Sequence, residues 1–251
     1  MDKITAPDNE PLNFLKEFTK ARIAIGSTGT SIPTKQWLAF KMAHAHARDA
    51  VYSAMNSDVM AVQLAEFKLP VLQLHSRADS RPQYLQRPDM RRLLDGYSAN
   101  RLADQVTGND VAIVIADGLS AMAIHENVLA LLRLLIPKLI ATGLKMAPVS
   151  LVQQGRVAIA DPIGDTLCAR LSIILIGERP GLSAADSMGA YITYNPKPGL
   201  KDNARNCVSN IRPGGLPYKV AADKIFYLVQ EAFKRRLTGV ELKDNEGLLT
   251  Q

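Results

Sequence analysis

The spacing of hydrophobic residues divides the chain into a helical first part and a second part in which apolar runs alternate with helices. Thr34 is a residue type that caps helix N-termini, and the apolar positions behind it predict a helix from about Gln36 to Met55. A second helix is predicted in DVMAVQLAEF, which Pro70 ends, and a basic segment leads into a further helix with Pro88 in its first turn. Strand patterns are almost absent before residue 105, so residues 1–100 are predicted to form a helical N-terminal domain.

Beyond residue 105 the pattern changes to short apolar runs separated by helical stretches. The run Val111–Ala116 predicts a buried strand, and the long apolar helix after it extends to about Thr142, with Gly143 suited to its C-cap. Strands that alternate with helices predict a parallel sheet covered on both faces, here over residues 101–251. The other predicted elements are strands in MAPVSLVQ, RVAIAD, SIILI, GAYITYN and NCVSNI, and a C-terminal helix from Lys219 to Leu237.

Three acidic residues, Asp117, Asp161 and Glu178, directly follow predicted strands. Because ligands bind beyond the carboxyl ends of the strands in such sheets, these acids could line one rim. For Asp117 we favour a structural role, in which it caps the N–H groups of the long helix. Glu178 precedes a Pro-Gly turn, and Ser183 behind the turn can cap a following helix. Glu178 either accepts hydrogen bonds from a ligand rich in amide N–H groups or makes a local contact with Arg179 that only stabilises the turn.

Composition and charge narrow the class of protein. The chain has 251 residues, is 47% hydrophobic and carries a net charge of +6, which is typical of a globular protein with a sizeable core. The basic residues are dispersed, with a mild cluster from Arg77 to Arg101, and aromatic residues make up only 6%, so a nucleic-acid site is disfavoured while an anionic ligand stays open. The two cysteines indicate a reduced compartment, and the first residues lack the pattern of a signal peptide. The most apolar segment is interrupted by Arg133 and Pro137, which predicts a core helix rather than a membrane span.

The common motifs of independent catalysis are missing. IGSTGTS lacks the lysine of a phosphate-binding loop and predicts a turn, and no G-x-G-x-x-G follows a strand. On a helix His44 and His46 point roughly 200° apart, so they cannot bind one metal ion together. The other two histidines are isolated and typical of surface or capping positions. Ser120 lacks the G-x-S-x-G pattern of an esterase, and Cys207 has no histidine nearby in sequence to activate it.

Seven segments together carry a resemblance to a known family. They are RIAIGSTGTSIPT, AHAHARDAV, YLQRPDMRR, VAIVIADGLSA, QGRVAIADPIGD, ILIGERPGLSAADSMGAY and RNCVSNIRPGGL. In this order they resemble the light (small) subunit of adenosylcobalamin-dependent ethanolamine ammonia-lyase. The resemblance runs from about Ala21 to the end of the chain, and the combination of the last three segments is its most specific part.

The resemblance implies an α/β fold in which a Rossmann-like parallel-sheet domain follows a smaller all-helical N-terminal domain. It also implies a carbon–nitrogen lyase that converts ethanolamine to acetaldehyde and ammonia by radical chemistry. In this family adenosylcobalamin lies between the light subunit and a large catalytic subunit, and the substrate contacts belong to the large subunit. No catalytic residue and no metal ligand is therefore assigned to this chain, which is expected to be inactive alone.

The same resemblance assigns cofactor contacts within three segments. The GRV, GERPG and R-x-C-x-S-N segments place these contacts at Val157, Glu178 and Cys207. The D-x-H-x-x-G motif, whose histidine binds cobalt in other cobalamin proteins, is absent, which agrees with cobalamin that keeps its own base on cobalt. The family implies a cytoplasmic protein enclosed in a bacterial microcompartment. Only about twenty residues precede RIAIG, fewer than in many members of the family.

Two other functions remain as alternatives. The chain could be an independent α/β enzyme that acts on a small phosphate- or nucleotide-bearing substrate at the strand-end acids, in which case the isolated chain would turn over substrate. It could also bind nucleic acid through the Arg77 to Arg101 cluster, with binding that falls steeply as salt rises.

Overall fold

A six-stranded mixed sheet lies at the centre of the computed structural model, which describes residues 12–19 and 21–243. The strand order across this described sheet is β1-β3-β2-β4-β5-β6; β1 to β4 run parallel, and β5 and β6 are antiparallel to their neighbours. The strands are β1 Val71–His75, β2 Val111–Ala116, β3 Val149–Gln153, β4 Leu171–Gly177, β5 Met188–Tyr194 and β6 Asn206–Ile211.

Helices cover both faces of the sheet. The α-helices of the described residues are α1 Thr34–Tyr52, α2 Ser57–Leu64, α3 Arg81–Gln86, α4 Gly96–Ala103, α5 Ala121–Ala141, α6 Ala160–Thr166 and α7 Tyr218–Arg235. Helices α2, α5 and α7 contribute to the hydrophobic core on one face, and α4 and α6 contribute to the core on the other. The alternation along β2 shows why two cores form, because Ile113 and Ile115 enter the first core while Ala112 and Val114 enter the second.

The α/β fold and most of its elements agree with the sequence. The strand Val111–Ala116 has its predicted bounds, and the other apolar runs from 149 onwards form β3, β4, β5 and β6, with RVAIAD as the exception. The long helix ends at Ala141 with Thr142 as its C-cap, and Gly143 follows with φ +79°, a conformation that glycine adopts without strain. The C-terminal helix, predicted from Lys219 to Leu237, is confirmed as α7.

The expectation that the first hundred residues are all helical is wrong. The sequence VLQLH forms β1, an edge strand that alternates between half-buried and buried positions and pairs with β3. Its pattern is only five residues long and follows directly on Pro70, where we expected only the end of a helix. Because β1 joins the first hundred residues to the sheet, the division into domains 1–100 and 101–251 stays a prediction.

Two further predictions concern local structure and need correction. RVAIAD is not a strand, because residues 157–159 form a 3₁₀-helix and α6 follows. Pro162 fits the first turn of a helix, where a missing N–H costs nothing, and would remove a hydrogen bond from a central strand. Helix α1 begins at Thr34 behind Pro33, without a side-chain cap, and ends at Tyr52 rather than near Met55.

The expectation of a wholly parallel sheet is also wrong. Ten residues, 178–187, connect β4 to β5 without a helix, so Ser183 caps no helix. A parallel connection needs a crossover of a dozen or more residues, and a loop this short returns the chain antiparallel.

Residues 1–11, 20 and 244–251 lie outside the described part, and most of the segment before RIAIG falls there. Among the described residues, none of the helices has the length and apolar character that crossing a membrane requires.

Candidate functional site

A cavity lies at the carboxyl ends of the strands, beside β2, at the point where the strand order reverses. After β2 the chain adds β3 on one side of it, and after β3 it adds β4 on the other side. Ligands of open α/β sheets bind at this kind of switch point, beyond the carboxyl ends of the strands. The cavity measures about 430 Å³ and is lined by Leu119, Arg156, Val157, Ile176, Gly177, Glu178, Arg179 and Tyr191. Two of the three residues predicted to contact a cofactor, Val157 and Glu178, are therefore brought together.

The loops after β2 and β4 touch directly beneath the cavity. Leu119 N–H donates to the carbonyl of Gly177 at 2.9 Å. A side chain on Gly177 would collide with the backbone carbonyl oxygens of Ser120 and Asp117. Glycine at the end of β4 is therefore what lets these loops meet, and their contact fixes where Glu178 begins.

Asp117 ties the end of β2 to the loop that carries Val157. Its carboxylate is 1% exposed and accepts hydrogen bonds from the N–H groups of Gln154 (2.9 Å) and Gly155 (3.1 Å). Burial raises the pKa of Asp117 to about 6, although both N–H groups and the guanidinium of Arg81 favour its ionised form. The expectation that Asp117 caps the long helix is wrong, because Ser120 accepts the hydrogen bond at that helix start, from Ala123 N–H at 3.2 Å.

Glu178 is held from one side only. The hydroxyl of Ser187 and the N–H of Asn210, the latter at 3.2 Å, both donate to Oε2. Gly189 packs against the carboxylate, and a methyl group there would lie 2.9 Å from Oε1. Within the described part of the chain no hydrogen bond reaches Oε1, and none joins Glu178 to Arg179. The structure therefore does not support a merely local contact with Arg179, and one carboxylate oxygen can still accept hydrogen bonds.

Cys207 lies outside the cavity, one strand away. It pairs across β5 and β6 with Tyr191, whose side chain lines the cavity, and it is exposed on the edge strand. Desolvation of the thiol is the main cause that raises its pKa, and the charge of Glu178 adds to it. The thiol is therefore neutral at physiological pH, which fits a packing contact and not a nucleophile. Burial, and next the neighbouring Cys207, raise the pKa of Tyr191 to about 12.

Asp161 does not belong to the rim. It lies in the first turn of α6, where it forms a bidentate pair with Arg205 at 2.6 and 2.8 Å. Both side chains are 2% exposed. The proposed rim of three strand-end acids is therefore reduced to Asp117 and Glu178, because the residues before Asp161 form a helix.

Sequence reasoning missed Ser187, Asn210 and Tyr191. Ser187 and Asn210 lie 9 and 32 positions from Glu178 along the chain, so no local spacing connects them. Tyr191 had a signal, since GAYITY alternates and places Tyr191 and Thr193 on the same side of β5.

His125 and part of the basic cluster have structural roles. The imidazole of His125 accepts a hydrogen bond from Asn56 N–H at 3.1 Å, which agrees with a capping position. Arg81 and Arg91 stack on the ring of the buried Tyr84, with guanidinium-to-centroid distances of 4.5 and 5.1 Å. Arg77 donates to the carbonyl of Leu94. Arg81 and Arg91 are therefore half-buried and used inside the fold, whereas Arg77, Arg87, Arg92 and Arg101 of the cluster are exposed.

Comparison with known proteins gives a consistent result. The family model for "Ethanolamine ammonia-lyase light chain (EutC)" matches residues 9–243. A protein of Azotobacter vinelandii named ethanolamine ammonia-lyase small subunit is 51% identical over 97% of this chain and 91% of its own length. Proteins with the same name from Pseudomonas fluorescens and Ralstonia nicotianae are each 50% identical, over 99% and 93% of this chain and 91% and 88% of their own lengths. With a family model over nearly its whole length and relatives at about half identity, the chain belongs to the ethanolamine ammonia-lyase light chain family.

Proposed function

We propose that this chain is the small subunit of an adenosylcobalamin-dependent ethanolamine ammonia-lyase and closes the cobalamin site against the large subunit. Family membership supports the lyase activity and the hetero-oligomer. The placement of the cofactor rests on the cavity at the switch point, which is lined by both Val157 and Glu178. Cys207 lies on β6, next to the cavity residue Tyr191 of β5. The family also supports a cytoplasmic location, and enclosure in a microcompartment is part of the proposal.

The free oxygen of Glu178 fits the periphery of a corrin. An ionised carboxylate only accepts hydrogen bonds, and the edge of cobalamin presents primary amide groups that donate them. Ser187 and Asn210 hold Oε2, so that Oε1 is left for an amide of the cofactor. This acceptor is thus oriented before the cofactor arrives, which lowers the cost of ordering it.

Val157 and Cys207 have a different role from that of Glu178. Val157 begins the 3₁₀-helix before α6 and offers a small apolar side chain to the cavity. Cys207 offers a neutral thiol beside Tyr191. Both suit van der Waals contact with an apolar edge of the cofactor and exclude water from it.

When bound, adenosylcobalamin supplies the radical chemistry that converts ethanolamine to acetaldehyde and ammonia, and the protein supplies orientation and shielding. This chain contributes the acceptor of Glu178, the packing of Val157 and Cys207, and a rigid floor formed by the contacting loops after β2 and β4. None of its described residues is assigned a proton or hydrogen transfer. The isolated chain is therefore expected to be inactive.

A reconstitution assay tests the proposal. The purified chain, adenosylcobalamin and ethanolamine are mixed with and without the large subunit of the same organism, and acetaldehyde is followed. Activity is expected only in the mixture with both subunits. Turnover by the isolated chain, or a stable complex of both subunits that forms no acetaldehyde, would contradict the proposal.

The variant Glu178→Ala tests the site itself. Loss of the acceptor leaves a buried amide without its partner, so adenosylcobalamin should bind the assembled enzyme more weakly by about 1–3 kcal/mol. Glu178→Gln keeps the shape and separates the effect of charge from that of packing. Glu66→Ala is the matched control, because Glu66 is a surface carboxylate paired with Arg133 at 3.1 Å. Equal cofactor affinity in Glu178→Ala and the control would remove Glu178 from the site.

A further inference from the structure

Helix α1 carries apolar side chains on two opposite faces, and the described chain covers one of them. Phe40 and Ala50 point towards the rest of the chain, but Ala50 is the only buried residue among the 19 described residues of the helix. On the opposite side Leu38, Met42 and Tyr52 recur at helical spacing and are 59%, 63% and 57% exposed. A helix that is apolar on both sides is normally buried on both sides.

A groove separates α1 from the loop between β4 and β5. Its first section has a volume of about 370 Å³ and lies between Met42 and the loop residues 181–185. The second section has a volume of about 770 Å³ and continues towards α5, and the two sections share His46 and Ala185. We call these two sections together the α1 groove. The α1 groove is larger than the proposed cofactor cavity, and none of the residues that line the cavity lines the groove.

The far end of the α1 groove is acidic and short of cations. Asp49, Glu126 and Asp186 line it, together with His46 and His125. Asp186 pairs with Arg212 at 3.3 Å, whereas no hydrogen bond or ion pair from the described residues reaches the carboxylate of Asp49 or Glu126. Desolvation, and next the charge of Asp186, raise the pKa of Glu126. A basic side chain from outside would complement this end of the groove.

The loop 178–187 lies between the α1 groove and the cofactor cavity and contributes residues to both. Glu178 N–H donates to the carbonyl of Ser187 at 2.9 Å, so the ends of the loop meet. Arg179 lines the cofactor cavity, while residues 181–185 line the α1 groove. The carbonyl of Leu182 accepts a hydrogen bond from the guanidinium of Arg22 at 3.5 Å. A partner that covers the cavity from outside therefore lies over this loop and reaches α1 on its other side.

We propose that the α1 groove is a docking site for the large subunit. An apolar segment of the large subunit lies against Met42 and Leu182, and a basic side chain enters the acidic end beside Glu126. The inference rests on the proposed function for the identity of the partner. It adds a surface that lies outside the cofactor site and that needs no cofactor to form.

Assembly can be measured directly by sedimentation velocity of the full chain with the large subunit. Met42→Asp places a charge on the apolar section, and Glu126→Lys reverses the charge of the acidic end. Each is expected to weaken assembly at least tenfold, with an unchanged melting temperature of the isolated chain because both residues are exposed. Val106→Asp is the matched control, since Val106 is 78% exposed and precedes β2 at the opposite edge of the sheet.

The outcomes separate this inference from the proposed function. If the wild-type chain does not assemble with the large subunit, the proposed function fails and the inference fails with it. If the wild-type chain assembles and both variants assemble as tightly as Val106→Asp, only the docking site is overturned. A variant that abolishes self-association of the isolated chain, with unchanged binding of the large subunit, would assign the groove to a second copy and also overturn the inference.

Discussion

Replacement of Asp161 by alanine should strongly lower the free energy of unfolding, although Asp161 lies outside the cofactor cavity. Asp161 and Arg205 are joined by two hydrogen bonds of 2.6 and 2.8 Å, and both side chains are 2% exposed. The guanidinium also donates to the hydroxyl of Thr193 and the carbonyl of Leu200, both at 3.2 Å. These contacts connect α6 to the segment that leads into β6, the strand of Cys207.

The magnitude follows from the charge that is left behind. Removal of one partner of a buried ion pair leaves the other charge uncompensated, which costs about 3–5 kcal/mol. Replacement of both partners by apolar residues of similar volume is often close to neutral, since both desolvation penalties disappear together. We therefore expect Asp161→Ala to lose about 3–5 kcal/mol of unfolding free energy, and the double variant Asp161→Leu/Arg205→Met to recover most of that loss.

Urea unfolding of the isolated chain, followed by circular dichroism, measures both variants against the wild type. Asp110→Ala provides a comparison at a more exposed pair, because the Arg170 side chain bound to it at 3.1 Å is 54% exposed, so a smaller loss is expected there. A loss below about 1 kcal/mol for Asp161→Ala would refute the reasoning, because surface pairs already contribute that much. A double variant as unstable as the single one would show that the pair acts through its shape and not through its charges.

Two further predictions concern the loops under the cofactor cavity. Gly177→Ala should cost about 1–3 kcal/mol of unfolding free energy and weaken cobalamin binding, because the new methyl group meets the backbone carbonyls of Ser120 and Asp117. The control is Gly96→Ala, where the methyl group meets open space, so no change is expected in the same urea titration. Burial raises the pKa of Asp117 from 3.8 to about 6. Between these two pH values the folded state retains a proton that the unfolded chain releases. The contribution of Asp117 to the free energy of unfolding should therefore fall by about 3 kcal/mol as pH rises from about 4 to 7. Asp117→Asn cannot titrate, so the unfolding free energy of the wild type minus that of the variant should fall by about 3 kcal/mol over that range. A difference independent of pH would contradict the assigned pKa.

The α/β character of the protein could be predicted because its signals are local. The run Val111–Ala116 is apolar at every position, which is typical of a strand buried on both faces, and Gly143 suits a helix end, where it adopts φ +79°. The direction of β5 and the existence of β1 were missed for opposite reasons. Strand direction depends on the length of a connection and on what the connection packs against, whereas β1 is only five residues long and follows directly on Pro70.

The family, the apolar strands and the acceptor chemistry of Glu178 follow from the residues alone, because each depends on residue type and order. Which acids share a site depends on how the chain packs. Asp117 and Asp161 both follow apolar runs, yet one carboxylate fixes a loop under the cavity and the other neutralises Arg205 inside the fold. Their partners lie 37 and 44 positions away in the chain, and no local pattern encodes contacts over such distances. Packing brings these groups together, and burial then makes each pairing obligatory, because a buried charge without a partner is costly.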